Sequence, residues 1–245
     1  MILQEIADIH SHILPGVDDG ASSVEESLEM FRLLATQGCT DVIATPHHHP
    51  QRGHADVHEI LEAKRKTELA INTSEIKITL HTGMEIYYEE DTVERLKAGN
   101  LLSLADSPYV LVEFYHSVLL QVMEHAVYSL LEAGYWPVIA HAERYHCVLR
   151  HPEYVERLVN IGAYIQVNAD LFAVWPSAEM RKLRKYLLKN RYLHFVATDA
   201  HNAGTRAPRL EQTMKYLEHK VPGLAQEILH VNPQYILRGE ILRRF

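Results

Sequence analysis

Histidines and carboxylates recur in this chain at the ends of short apolar runs, a placement suited to holding divalent cations. Ile6–Ile9 runs into His10-Ser11-His12, and Asp41–Thr45 into Pro46-His47. Lys77–Leu80 leads through His81 and Gly83 to Glu85, Tyr109–Val112 meets Glu113, and Val138–Ala140 meets His141. Tyr164–Val167 ends at Asn168, and Leu193–Thr198 ends at Asp199-Ala200-His201. His10 and His12 stand two apart at a strand end, so both imidazoles can turn to one cation; Asp199 and His201 repeat that spacing. His47 opens His47-His48-His49; position favours the first as a ligand, and the other two read as loop or outer groups. Glu85 is the carboxylate placed to bridge two ions, with Gly83 letting the backbone crowd the site. Glu113 follows Val110-Leu111-Val112, a run that predicts burial, and a buried carboxylate needs a cationic partner.

The turn Pro15-Gly16-Val17-Asp18-Asp19-Gly20 can fold one carboxylate back to the same mouth, while either Asp can equally be a plain turn residue. The candidate ligands are therefore His10, His12, Asp18 or Asp19, His47, Glu85, Glu113, His141, Asp199 and His201. Shared between two or three ions, they give each about three or four protein ligands and leave positions open for water and substrate, as catalytic sites require. Imidazole and carboxylate without thiolate suit manganese, iron or zinc.

Such a set needs strands whose ends open on one face. The run ends fall about 30 residues apart, the length of one strand, one crossover helix and two loops. The interludes read as helices: Ser23-x-x-Glu26 is a capping box before Leu28, Phe31, Leu34 and Ala35, and Gly38 is a stop. Further helices are predicted over Val57–Ile71, Leu119–Ala133, Pro152–Ile161, Ala178–Asn190, Arg209–His219 and Leu224–Val231. Seven strand–helix units predict an α/β fold, a distorted seven-stranded (β/α)7 barrel related to the eight-stranded kind, in one domain over residues 1–245.

Composition narrows the function. A formal charge of −8 disfavours nucleic acid, whose phosphates demand clustered cations. The one dense basic run, Arg181-Lys182-Leu183-Arg184-Lys185, lies on a helical stretch and reads as a solvated face. No apolar run approaches the ~18 residues of a membrane helix, and the acidic N-terminus predicts no secretory signal. Two cysteines, Cys39 and Cys147, build no disulfide framework and fit a cytoplasmic setting. At the offset where a thiol phosphatase carries its Arg, they are followed by Thr45 and Glu153. A phosphate loop of the Gly-x-x-x-x-Gly-Lys type is also missing. The sequence leaves the oligomeric state open.

The segments Asp8-Ile9-His10-Ser11-His12-Ile13-Leu14-Pro15-Gly16-Val17-Asp18-Asp19-Gly20, Ala44-Thr45-Pro46-His47-His48, Gly83-Met84-Glu85-Ile86 and Leu111-Val112-Glu113-Phe114 carry a family resemblance. Val138-Ile139-Ala140-His141-Ala142-Glu143-Arg144 and Phe195-Val196-Ala197-Thr198-Asp199-Ala200-His201-Asn202 extend it over nearly the whole chain. The chain resembles the polymerase-and-histidinol-phosphatase (PHP) superfamily, and within it the bacterial tyrosine-protein phosphatases of the CpsB/YwqE type. That resemblance implies a trinuclear site supported chiefly by manganese and activity on phosphotyrosine in a bacterial tyrosine kinase controlling capsule or exopolysaccharide export. Ala142 departs from the usual pattern; an acidic turn residue and Glu113 stand where other branches use His.

In the expected reaction the ions lower the pKa of a bridging water, so that hydroxide attacks the phosphorus near neutral pH. Arg144 and Arg206 are placed to bind non-bridging oxygens, because a guanidinium matches phosphate with two hydrogen bonds. Asp199 or His201 can assist the leaving tyrosyl group. Tyr87-Tyr88-Glu89-Glu90 and Trp175-Pro176 are candidates to line the mouth. Competing readings are a small-molecule phosphoesterase acting on histidinol phosphate or nucleotides, and a non-catalytic metal-holding module that docks a kinase. A metal-dependent amidohydrolase is disfavoured because no Lys sits at these strand ends.

Overall fold

The computed structural model describes residues 5–173 and 176–243. Trp175, expected at the mouth, lies outside the described residues. Among the described residues ten strands form in chain order: β1 (Ile6–Ser11), β2 (Cys39–Ala44), β3 (His47–His49), β4 (Gly53–His54), β5 (Thr79–Thr82), β6 (Glu85–Tyr87), β7 (Tyr109–Glu113), β8 (Trp136–Ile139), β9 (Tyr164–Asn168) and β10 (Phe195–Ala197). They build a three-stranded sheet, β1-β2-β5, and a seven-stranded sheet, β10-β9-β8-β7-β6-β3-β4. Pairing is parallel throughout except between β3 and the short β4. Helices separate most successive strands, so the molecule is a mixed α/β domain with parallel sheets.

Two of the seven apolar runs are broken, which sequence periodicity did not predict. The second run stops at Ala44 and resumes as β3 after Thr45-Pro46, because Pro46 has no N–H for the ladder. The third divides at Gly83-Met84 into β5 and β6. Gly83 N donates to Ala44 O at 2.8 Å and Glu85 N to Pro46 O at 3.1 Å, carrying the pairing across both breaks. Far along the chain, Asp199 N donates to His10 O at 2.9 Å and His12 N to Ala200 O at 2.8 Å. These bonds tie the end of β1 to the segment following β10.

Most helices form where expected. Ala178–Asn190 matches, and Val24–Thr36, Val57–Asn72, Leu120–Glu132, Tyr154–Ile161 and Glu211–Lys220 differ from prediction only at their ends. The predicted box at Ser23 is half formed. Ser23 accepts from Glu26 N, but the Glu26 carboxylate goes to Ser22 N and Oγ. The reciprocal box lies at Asp56 and Glu59. Leu224–Val231 does not stop, since a π turn at Glu227–Val231 passes the chain into Asn232–Arg238, whose early Pro233 needs no N–H partner. The short helices Thr92–Lys97 and His146–Arg150 have too few turns to show a period in the sequence.

The apolar core has two layers. Val42, Val110, Val112, Ile139, Ile165 and Val196 pack outward with the helices. Ile43, Tyr109, Leu111, Val138, Tyr164, Phe195 and Ala197 pack on the other strand face with Ile236 and Leu242. Tyr109 and Tyr164 fasten the C-terminal segment under this inner layer through Glu240 O, Leu242 N and Leu242 O. Continuing along the inner face in steps of two, Tyr109 and Leu111 lead to Glu113, and Phe195 and Ala197 lead to Asp199. The apolar layer is thus the floor of the polar one. Gly83 is required by packing: a Cβ there would lie 2.9 Å from Leu104 Cδ2, so its small size serves Leu104, not the site.

Candidate metal centre

At the C-terminal strand ends nine of the ten candidate ligands converge. His10 Nε2 and His12 Nε2 each lie 3.3 Å from Glu85 Oε2, and 3.5 and 3.3 Å from Asp199 Oδ1. His47 Nδ1 is 2.9 Å from Glu85 Oε2 and 3.4 Å from Glu113 Oε1. His141 Nε2 is 2.6 Å from Glu85 Oε1 and 3.6 Å from Glu113 Oε2. Asp19 Oδ1 sits 3.4 Å from both His47 Nε2 and His201 Nε2. Three overlapping clusters result: His10, His12, Glu85 and Asp199; His47, Glu85 and Glu113; and His12, Asp19, His47 and His201. Glu85 belongs to the first two, which is the placement a bridging carboxylate needs.

Asp18 stands apart from these clusters. Its Oδ2 lies 2.6 Å from His12 Nδ1 and accepts from His47 N, while Oδ1 accepts from Gly20 N. It orients His12 from behind, as a carboxylate does for a metal-binding imidazole. The sequence left Asp18 and Asp19 open; the fold points Asp19 at the cluster and Asp18 at its support. Gly20 makes the turn possible, since an added Cβ would lie 2.0 Å from His12 O.

Several of these atoms are buried and make no hydrogen bond: His47 Nδ1 and Nε2, Glu85 Oε2, Glu113 Oε1 and His201 Nε2. A buried polar atom without a partner costs roughly 1–3 kcal/mol. His47 Nδ1 faces Glu85 Oε2 and Glu113 Oε1, while His201 Nε2 faces Asp19 Oδ1 beside His12 and His47, so these atoms are aimed at two neighbouring points where cations could satisfy them. The donor set, imidazole and carboxylate, fits divalent transition metals. The residues therefore fit the metal ions.

Electrostatics agree with that geometry. Burial opposes charge on Glu85 and Asp199, but the surrounding imidazoles, with Arg144 for Asp199, hold both carboxyls well below their ordinary range. Against the same burial, Glu113 and Glu85 push His47 and His141 up to about 9. The cluster is thus a set of carboxylates compensated by protons where metal ions are not.

Arg144 donates from NH2 to Asp199 Oδ2 at 2.5 Å, and Arg206 NH2 lies 3.5 Å from Asp199 Oδ1. The two guanidiniums flank one carboxylate and remain partly exposed. Strained backbone positions them: His141 and Asp199 have φ of +32° and +50°, values non-glycine residues adopt at a cost and retain chiefly at functional sites. Arg144 N donates to His141 O, and Arg206 O accepts from His201 N.

Sequence reasoning missed Gln166 behind the site and named Asn168 only as a strand end. Gln166 Oε1 accepts from His141 N at 2.6 Å and lies 3.4 Å from His10 Nδ1, while Gln166 Nε2 donates to Asn168 Oδ1. Asn168 Nδ2 in turn donates to Asp199 Oδ2 at 2.7 Å. The available signal was a Gln inside the otherwise apolar run Tyr164–Val167. His48 and His49 lie on a strand, not in a loop: His48 contacts Arg95, and His49 packs on aromatic rings.

A parallel α/β domain with a His/Asp/Glu centre at its strand ends is the framework of a metal-dependent hydrolase. Residues 6–238 match the family described as "Capsular polysaccharide synthesis, CpsB/CapC", and the chain belongs to it. It is 32% identical over 237 residues to the tyrosine-protein phosphatase YwqE of Bacillus subtilis (strain 168), covering 97% of this chain and 93% of the relative. It is 30% identical over 243 residues to the tyrosine-protein phosphatase CpsB of Streptococcus pneumoniae, covering 96% and 99%. A crystal structure from work on those two proteins, described as unique metal-dependent tyrosine phosphatases, superposes with a TM-score of 0.91 at 32% identity, covering 98% of this chain and 97% of that one.

Proposed function

We propose that this chain is a metal-dependent tyrosine-protein phosphatase that hydrolyses phosphotyrosine on a bacterial tyrosine kinase in capsular or exopolysaccharide synthesis. The observation that carries the reading is the convergence of buried lone pairs from His47, Glu85, Glu113 and His201 beside two arginines, in a chain of this family. His10, His12, Asp19, His47, Glu85, Glu113, His141, Asp199 and His201 would hold two or three ions, manganese first. When bound, the ions supply Lewis-acid charge and acidify the water that attacks. The chain's own residues do the positioning, on which phosphoryl transfer mostly depends. Arg144 and Arg206 bind non-bridging oxygens, each anchored on Asp199 so that its outer N–H groups face the substrate. Asp199, held ionised by its neighbours, is a ligand and a poor proton donor. A tyrosyl group with a pKa near ~10 departs with modest help.

In this reading the two sheets work as one distorted seven-stranded barrel. The bonds across the breaks at Pro46 and Gly83, and those between β1 and the segment after β10, support it. A cytoplasmic setting rests on the unpaired Cys39 and Cys147. No helix among the described residues is long and apolar enough to cross a membrane.

The deciding experiment combines metal analysis of the purified protein with turnover of phosphotyrosine peptide, p-nitrophenyl phosphate and histidinol phosphate, with and without chelator and added manganese. The expected outcome is manganese-restored turnover favouring phosphotyrosine peptide. Preference for histidinol phosphate would give the activity to a small-molecule phosphoesterase. Binding of a phosphorylated kinase tail without phosphate release would make the chain a docking module.

A further inference from the structure

Three neighbouring strands carry a second set of side chains two residues beyond the candidate ligands. His47 is followed on β3 by His49, Glu85 on β6 by Tyr87, and Glu113 at the end of β7 by Tyr115. Residues i and i+2 of a strand share a face, so the three rings stand over the three ligands, roughly 6–7 Å further out along the strands. The rings touch one another: His49 and Tyr87 have centroids 4.8 Å apart, Tyr87 and Tyr115 4.8 Å, and His49 and Tyr115 5.9 Å. The His49 ring is in turn 6.3 Å from that of His47.

A cavity of about 290 Å³ opens beside this group, lined by His49, Arg52, Glu113, Tyr115 and His116 among others. Glu113 lines the cavity and its carboxylate belongs to the candidate metal centre, so the two adjoin. The His49 ring is fixed there, because Gln51 N donates to its Nδ1 at 3.0 Å. Tyr115 is 45% exposed, too open to be explained as core packing.

We propose that His49, Tyr87 and Tyr115 form an aryl subsite, which receives the phenyl ring of a phosphomonoester whose phosphate lies at the metal centre. The ligand class is aryl phosphate, phosphotyrosine in a peptide included. His49 and Tyr115 present ring faces and edges to the cavity, and Tyr87 braces both; edge-to-face aromatic contacts supply the attraction. Depth supplies selectivity. A rigid phenyl spacer carries a phosphate past the ring storey to the ligands, whereas the short arm of an alkyl phosphate leaves the rings untouched or drags its backbone into the cavity. The subsite deepens the phosphatase reading and rests on it.

The test uses the metal-loaded full chain with Tyr115→Ala, the Tyr87→Ala/Tyr115→Ala pair, and Tyr115→Phe. Kinetics with phenyl phosphate and glycerol 2-phosphate are compared, together with inhibition by inorganic phosphate. The expected result is a loss of about tenfold in kcat/KM for the aryl ester in the double variant, mostly in KM. Tyr115→Phe keeps the preference, and glycerol phosphate turnover and phosphate inhibition are unchanged. Parallel loss on both esters, or no loss on either, would overturn the subsite. Should the chain hydrolyse no phosphomonoester, the phosphatase reading fails on its own. The subsite is then decided by calorimetry of phenylphosphonate against methylphosphonate: tighter phenyl binding that disappears in the double variant supports it, and equal binding refutes it.

Discussion

Removing the metal ions and then raising the pH should weaken the fold, while the metal-loaded protein holds its stability over the same range. In the metal-free fold His47 and His141 have pKa values raised from 6.5 to about 9, burial being outweighed by Glu113 and Glu85. A group with a raised folded-state pKa contributes stability that is complete below its unfolded value and is lost as pH rises through the folded one. The window is therefore pH 6.5 to 9. Each shift corresponds to roughly 3 kcal/mol, and because both imidazoles share the same two glutamates the combined loss is about 3–6 kcal/mol. For a chain of this size that is a fall of roughly 6–12 °C in Tm. Asp8, pushed up to about 6 by burial, titrates mostly below this window, and His12, raised against its burial well above its ordinary value by Asp18, adds to the loss toward higher pH. In the loaded protein the same protons must leave before the ions bind, so affinity rises with pH, offsets the loss and leaves Tm nearly level across the window. Scanning calorimetry of chelated and manganese-saturated protein at several pH values measures both curves. Parallel curves would refute the argument, since they would mean that protons do not stand in for metal between these carboxylates.

His10→Ala with His12→Ala should abolish metal-dependent phosphate release and lower the bound-metal content while the fold survives; unchanged turnover would reject the site. Gln166→Leu leaves the buried His141 N–H without its acceptor, so a loss of roughly 1–3 kcal/mol in stability is expected, with metal affinity about 10–100-fold weaker by titration. Gly20→Ala drives a Cβ into the His12 carbonyl and should destabilise by about 2 kcal/mol or more, read as a drop in Tm; an unaltered Tm would show that the turn yields freely.

The sequence alone determined which residue types reach the strand ends and in what order. Apolar runs about 30 residues apart, each closing on His, Asp or Glu, are a local pattern, because alternation and burial are written into neighbouring residues. The family signature could be read for the same reason: the segments from Asp8 to Gly20 and from Phe195 to Asn202 are contiguous. Helix positions followed from apolar spacing, and only their ends moved, at caps such as Asp56 and Glu59 whose partners depend on the exact turn.

Tertiary structure decided what depends on approach between distant segments. Whether Asp18 or Asp19 faces the His/Glu/Asp cluster is set by where His12 and His47 lie, not by the turn that contains them. Gln166 and Asn168 matter because β9 lies between β8 and β10, beside His141 and Asp199. The breaks at Pro46 and Gly83 shift the register so that His47 pairs with Glu85, which also stacks His49 beside Tyr87. No sequence spacing encodes that pairing, because it is fixed by hydrogen bonds between strands that the chain brings together only after folding.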